Sequence, residues 1–592
     1  MKTGVFLLVA FSVQPALSQV RSLIEDYAAD RGSLLRYYNV AGTEERRNRL
    51  IRFYRDEKAL LEKQNFDALD QDGKIDYLLF HNELNHELRR LDREAREERE
   101  NSVYLPFASV ITGLEESRRK MNPIDSAATA RSMTELYRQI EATRKTIEQK
   151  IKDDKDPSRR VIGNRAANEA ASLRTTLRDW FVFYDAYDPI FTWWVEESYK
   201  TVDASLQSYA AFLREKVAGL RPAAAPGAPA SPRAEGGAFA ASFANARAGS
   251  TDDIVGNPIG RDELMAELAY EMIPYTPEEL IAAANREFAW CETEMKKASR
   301  EMGFGDDWKK ALEKIKTMYV EPGKQPQMIR DLAAEAVKFI DDHDLVTIPS
   351  IARETWRMQM MTPERQLVAP FFLGGEVISV SYPTNSMTFE QKMMSMRGNN
   401  IPMSRATVFH ELIPGHHLQG FYATRYKTYR SAVGGTPFLV EGWSLYWELL
   451  MWDLKFQKTP EDRVGALFWR MHRCARIIFS LSFHLGKMSP EECINFLVDR
   501  VGHERENAAG EVRRSFGGAY GPLYQAAYLL GGMQLKSLHD QLVGSGPGKM
   551  TNRQFNDAVL KENRIPIEMI RASLTRQTLA RAYVPSWRFL PD

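Results

Sequence analysis

From Val20 to about Leu220, apolar residues recur at three-to-four spacing, as in Tyr77-Leu78-Leu79-Phe80 followed by Leu84 and Leu88. This is the period of helices that bury one face. Arg89 to Glu100 mixes charges densely and predicts a solvated helix face. The aromatic stretch from Trp180 to Tyr184, continuing through Phe191, Trp193 and Trp194, fits packed core first and a subsite wall second. Pro222 to Ser250 turns abruptly to Ala, Pro and Gly, a composition with too little apolar surface to offset its ordering entropy. Helical signals then resume. Thr276-Pro277-Glu278-Glu279 reads as a helix start, with an N-cap, a proline in the first turn and acids at the positive end of the dipole. Gly374 to Tyr382 reads as a strand, with Val, Ile and Ser alternating between Gly-Gly and Pro383. The pattern predicts a mainly α chain with one small β element.

The predicted organisation is a leader over 1–18, a helical N-terminal region over 19–221, a linker or loop over 222–250, and a catalytic helical domain over 251–592. Lys2, the apolar run Gly4 to Val13 and the small residues around Ala16-Leu17-Ser18 have the form of a secretory signal peptide. The run is shorter than the ~20 residues of a spanning helix, and no cysteine follows it to take a lipid anchor. A periplasmic or secreted location is expected, with no membrane span. In the 592 residues, 79 basic side chains balance 79 acidic ones. A nucleic-acid partner, which favours a basic surplus, is therefore not expected. The three cysteines, Cys291, Cys474 and Cys493, are too few and too scattered for a disulfide framework or a thiolate metal site. Asp70, Asp72, Gly73 and Asp76 lack the register of a calcium loop, whose first and last ligands would fall on Ala68 and Leu79.

The chemistry concentrates at Phe409-His410-Glu411-Leu412-Ile413-Pro414-Gly415-His416-His417-Leu418-Gln419, which holds three of the ten histidines. In H-E-x-x-H peptidases, histidines one turn apart hold zinc and the intervening Glu handles water. Here the second histidine position is Pro414. On a regular helix, at about 100° per residue, His417 falls roughly 20° from His410 and His416 roughly 120° away. A bulge at Pro414-Gly415 would instead return His416 to the ligand place. The helical stretch from Leu439 to Trp452 carries Glu441 in its first turn, and Glu448 seven residues on along the same face. Two histidines and one carboxylate make a catalytic zinc set. Glu411 is then the general base and acid, and Glu448 a group that orients a ligand. His417 and Gln419 are expected to line the groove or support the ligands.

HELIPGHHLQ and VEGWSLY resemble the bacterial "domain of unknown function 885" family, whose pattern runs H-E-x-x-P-G-H-x-x-Q and later E-G-W-A-L-Y. The likeness extends to IGRDELMAELAYEMIPYTPEEL and to Tyr528 with Gly531, over most of 255–540. It implies a gluzincin-like zinc metallopeptidase: a large helical, grooved fold, akin to the angiotensin-converting and thermostable carboxypeptidase groups, with the β element beside the active-site helix. In that pattern the histidine directly after Pro-Gly is the constant one, which selects His416. The implied set is one zinc ion on His410, His416 and Glu441, with Glu411 as base. Tyr528 and His484 are candidate oxyanion donors, and Arg513 or Arg514 a carboxylate partner. Ser444 stands where the family has Ala. Ser480-Leu481-Ser482-Phe483-His484 stands where it often has D-T-G-x-H, so a role resting on that Asp does not carry over. The expected function is an exported peptidase of short peptides, an extended substrate pairing with the Gly374–Tyr382 strand. The alternatives are a zinc amidohydrolase acting on a non-peptide amide and a non-catalytic helical binding protein with a vestigial metal site.

Overall fold

The computed structural model describes residues 19–220 and 254–591, apart from 153–155, 157, 186, 367–370, 386 and 519. The expected leader and the 222–250 segment lie outside these residues. The fold is mainly helical, and among the described residues the only sheet has two strands. No described helix is long and apolar enough to cross a membrane. Local signals set many helix starts. Asp70 caps Gln71–Asn101 by accepting from the Gly73 amide at 2.8 Å. Thr276 and Glu279 form the reciprocal capping box of Pro277–Glu301.

The first three helices (Gln19–Tyr37, Glu44–Glu62 and Gln71–Asn101) share one core with residues from Phe409 to Leu579. Residues 105–217 bury their apolar faces separately, and a further core runs from Ile254 to Phe589. The first core is stitched by buried charge. Arg430 is fully buried; it donates to Asp76 at 2.7 Å and to Glu562, and pairs with Asp72 at 3.1 Å. The acids around Asp70 thus serve a cap and an ion network. Gln71 donates to the carbonyls of Ala572 and Gln577, both at 3.0 Å, and Arg581 donates to the Tyr77 hydroxyl at 2.9 Å.

The aromatic stretch divides between core and surface. Trp180, Phe181, Tyr184 and Phe191 are buried, but Tyr187, in the turn between Arg159–Asp185 and Pro189–Phe212, and Trp193 and Trp194, on the second of these helices, are exposed. Trp193 is 77% exposed. The one-sided helical period puts every third or fourth ring inside and the intervening ones outside.

The strand expected over Gly374–Tyr382 is β2 (Val377–Val380), paired in parallel with β1 (Arg357–Met360). The second edge of β2 is covered too, because Leu373 and Ser379 exchange hydrogen bonds of 3.1 and 2.7 Å. Ile378 and Val380 pack on Val408 and Leu412, fixing the sheet against the end of the His410 helix (Ile401–Glu411).

Glycines set the helix crossing that builds the site. The Glu441 helix (Pro437–Asp453) crosses the tyrosine helix (Tyr524–Leu542) at Gly442, Gly531 and Gly532. A Cβ on Gly442 would lie 2.6 Å from the Gly531 backbone, and one on Gly531 would overlap the Phe438 carbonyl. Gly531→Ala is therefore expected to cost about 3 kcal/mol or more, since backbone cannot yield as side chains do. Urea denaturation checks it; an unchanged midpoint would mean that the helices do not meet here.

Candidate metal centre

The His410 helix stops at Glu411, and Leu412 leaves it with φ −109° and ψ −102°. Ile413–Pro414 is a cis peptide, and a second short helix (His416–Ala423) begins directly after Gly415. The Gly415 amide donates to the Phe409 carbonyl at 3.0 Å, and a Cβ there would overlap the His410 carbonyl. Only glycine fits. Proline removes the amide that would have served the His410 carbonyl; Ser444 Oγ donates to it instead, at 3.0 Å. Trp443 Nε1 donates to the Pro414 carbonyl at 2.7 Å. The broken backbone is thus satisfied by the residues directly after Glu441.

The break brings His410 and His416 together, with ring centroids 4.9 Å apart at 86°. Glu441 Oε2 stands 3.1 Å from His416 Nε2 and 3.8 Å from His410 Nε2. Glu411 also offers an oxygen, such that its atom and those of His410 and His416 lie within 4.8 Å of one another. Glu441 Oε2 is buried yet accepts no hydrogen bond. Two ring nitrogens and a buried oxygen that face one another at short range without bonding fit a shared cation, and nitrogen with carboxylate donors suit zinc. Glu411 has the reach to be a ligand as well. We rank Glu441 ahead of it, because Glu441 is buried and its Oε2 has no other use, whereas Glu411 is partly exposed.

Supporting contacts hold these groups. Glu448 Oε1 lies 2.7 Å from His410 Nδ1, which turns Nε2 of that ring towards the cluster. Tyr524 Oη donates to the other Glu441 oxygen. Burial alone would lower the His410 pKa, but the facing Glu441 and Glu448 carboxylates outweigh it and lift the group to about 9. Burial alone would raise Glu441; His416 and His410 overrule that and hold it well below the usual carboxylate range. The cluster attracts positive charge. His417 is 3% exposed and donates from Nε2 to the Ala352 carbonyl at 2.7 Å, and Gln419 donates to the Leu439 carbonyl at 2.8 Å. Both are tied to backbone rather than lining a groove.

The Tyr528 ring lies 6.3 Å from that of His410 and nearly parallel to it. Burial, with Glu441 nearby, raises its pKa, so it stays a protonated donor. Its oxygen accepts from Arg514 Nη2 at 3.2 Å. Arg473 and Arg476, on Pro460–His484, lie over its ring at 4.8 and 4.4 Å. His484 is not brought to the cluster. It sits eight residues past Arg476, about 12 Å along the helix, against Phe483 and Phe516, and burial pushes its pKa down to about 4. Arg513 is buried on Arg505–Phe516. Tyr524, Arg473 and Arg476 escaped the sequence reading. The i, i+4 spacing of Tyr524 with Tyr528 was the available signal.

The wall beside Glu411 is not a free strand edge. Gly374 presses on the Glu411 side chain so closely that a Cβ would collide with it, and the Gly375 amide donates to the Glu411 carbonyl at 3.1 Å. With β2 flanked on both sides, the backbone nearest the base is the Leu373–Gly375 loop. At Ser379 the expected pairing of substrate with that strand meets an edge already occupied by Leu373.

Fold and site together define a mainly helical protein with a buried histidine–carboxylate cluster at a helix break. The chain belongs to the family described as "Bacterial protein of unknown function (DUF885)", whose pattern matches residues 34–574. Solved structures resemble it, among them the following two. One, from Shewanella oneidensis and provisionally described as a lipoprotein of unknown function, is 17% identical with a TM-score of 0.66 and covers 94% of this chain and 100% of its own. The other, from Colwellia psychrerythraea and likewise provisionally described as a lipoprotein, is 14% identical with a TM-score of 0.55, covering 94% and 98%. At these identities the likeness is one of fold. No curated protein matches the chain.

Proposed function

We propose that the protein is an exported zinc-dependent metallopeptidase that hydrolyses short peptides. The observation that carries this reading is the convergence of His410, His416 and Glu441 on one point, with Glu411 beside them. A zinc ion held by the first three supplies Lewis acidity, which favours water ionisation near neutral pH and polarises a carbonyl. Glu411 takes the proton of the attacking water and passes it to the departing amine. Glu448 keeps the His410 ring in place, and Tyr524 does the same for Glu441. Tyr528 presents a hydroxyl that stays protonated while Arg514 occupies its oxygen, which suits it to donate to a developing oxyanion. The lipoprotein descriptions of both solved neighbours support a cell-envelope location.

Metal analysis of the purified protein should find about one zinc per chain. A chelator should abolish cleavage of a short-peptide panel, and added zinc should restore it. Protein free of metal and inert on every peptide would sink the proposal.

A further inference from the structure

The tip of one helical hairpin carries an apolar surface that the fold leaves uncovered. Single exposed apolar side chains are ordinary, and only a contiguous group of them signals a partner. Among the described residues, six of the sixteen strongly exposed large apolar side chains fall within positions 182–194. They are Val182, Phe183, Tyr187, Ile190, Trp193 and Trp194, and they flank the turn that joins Arg159–Asp185 to Pro189–Phe212. Ile190 is 68% and Tyr187 63% exposed. The rings of Phe183 and Tyr187 stand 5.7 Å apart and those of Trp193 and Trp194 4.9 Å apart, and Ile190 lies one helical turn before both tryptophans. Met121, three residues past the Arg118 that lies over the Phe183 ring at 4.6 Å, is exposed as well.

Core packing does not use these side chains. Trp180, Phe181, Tyr184 and Phe191 already fill the interior of the 105–217 lobe from the inner faces of the same two helices. The turn also stands well away from one junction of that lobe with the body. There Arg165 donates to Asn101 at 3.2 Å and to Asn257 at 3.4 Å. Asp185 follows twenty positions later, about 30 Å along the helix.

The chemistry of the tip selects its partner. Trp and Tyr, apolar in body with a polar N–H or O–H, are the side chains that settle at the level of lipid headgroups. A hairpin tip is convex, so it presses into a fluid layer more readily than it receives a peptide. The charge around it is mostly acidic, with Asp179, Asp185, Glu196 and Glu197 against Arg178 and Lys200. Anionic lipids would be repelled, and a symmetric second copy would set the same acids face to face. We propose that the 182–194 tip docks the protein on a zwitterionic phospholipid surface, with Trp193 and Trp194 entering the headgroup layer. Such docking is peripheral and reversible, in keeping with the lack of a spanning helix among the described residues. It is independent of the peptidase reading, and the exported location proposed above puts a membrane within reach.

The test floats the purified protein through a density gradient with vesicles of equimolar phosphatidylethanolamine and phosphatidylcholine. The wild type should rise with the vesicles. Trp193→Ser combined with Trp194→Ser should weaken partitioning at least about tenfold, because binding scales with the apolar area that enters the interface. Tyr187→Ser combined with Ile190→Ser, on the same tip, should weaken it too. These side chains face water, so the urea midpoints of both variants should match the wild type, which separates lost binding from lost folding. Wild-type protein left at the bottom of the gradient, or a tryptophan variant that binds as well as the wild type, would overturn the proposal. Binding that appears only when phosphatidylglycerol is added would assign the effect to charge and overturn it as well. So would a concentration-dependent dimer, broken by the same variant, in protein that ignores the vesicles.

Discussion

Glu411→Gln is expected to retain its zinc and to lose at least about two orders of magnitude in turnover, the usual scale for a general acid–base group. The substitution keeps shape, which matters because Gly374 packs directly against the side chain. It removes the proton acceptor and little else. The same variant decides which glutamate is the ligand, since Glu411 and Glu441 both approach the two imidazoles. Metal analysis alongside kinetics separates them: zinc lost together with activity would make Glu411 a ligand and displace Glu441 from that role.

His416→Ala should empty the metal site, whereas His417→Ala should keep its zinc and lose stability instead. His416 faces Glu441 across 3.1 Å, and losing one of three protein ligands removes most of the affinity. His417 points the other way and serves the Ala352 carbonyl. Removing it strands that buried acceptor, at about 1–3 kcal/mol. Zinc content and denaturation midpoints of the two variants read both effects. Zinc retained by His416→Ala and lost by His417→Ala would reverse the assignment.

Much of this centre is legible in the sequence because its parts are local. His410, Glu411 and His416 lie within one turn and a break, and Glu441 and Glu448 share a helix face set by the seven-residue repeat. The break itself follows from proline chemistry, since Pro414 cannot donate and the chain must leave the helix. What relieves it was not readable. Ser444 looks like a neutral departure from the family pattern until the fold lays it on the His410 carbonyl. Long-range partners were hidden for the same reason. Nothing near Arg430 announces that it will be buried against Asp76, and Arg473 and Arg476 look like the polar edge of an amphipathic helix. β1 was missed because Arg-Met-Gln-Met has no alternation, and its pairing depends on a partner far along the chain. Half of the aromatic stretch was misplaced because ring content alone says nothing about which helix face has a neighbour.

The stitching of Gln71 and Tyr77 to Ala572, Gln577 and Arg581 also governs when the protein can finish folding. About 500 residues separate the two sides of that seam. At a synthesis rate of ~5–20 residues per second, the first three helices exist for roughly 25–100 s before their partners do. Throughout that interval Tyr27, Tyr54 and Phe80 can pack on one another, but the core they share with the later helices stays incomplete. A truncation that removes only the last few dozen residues would therefore leave the opening helices, rather than the histidine cluster, as the first part of the protein open to proteases.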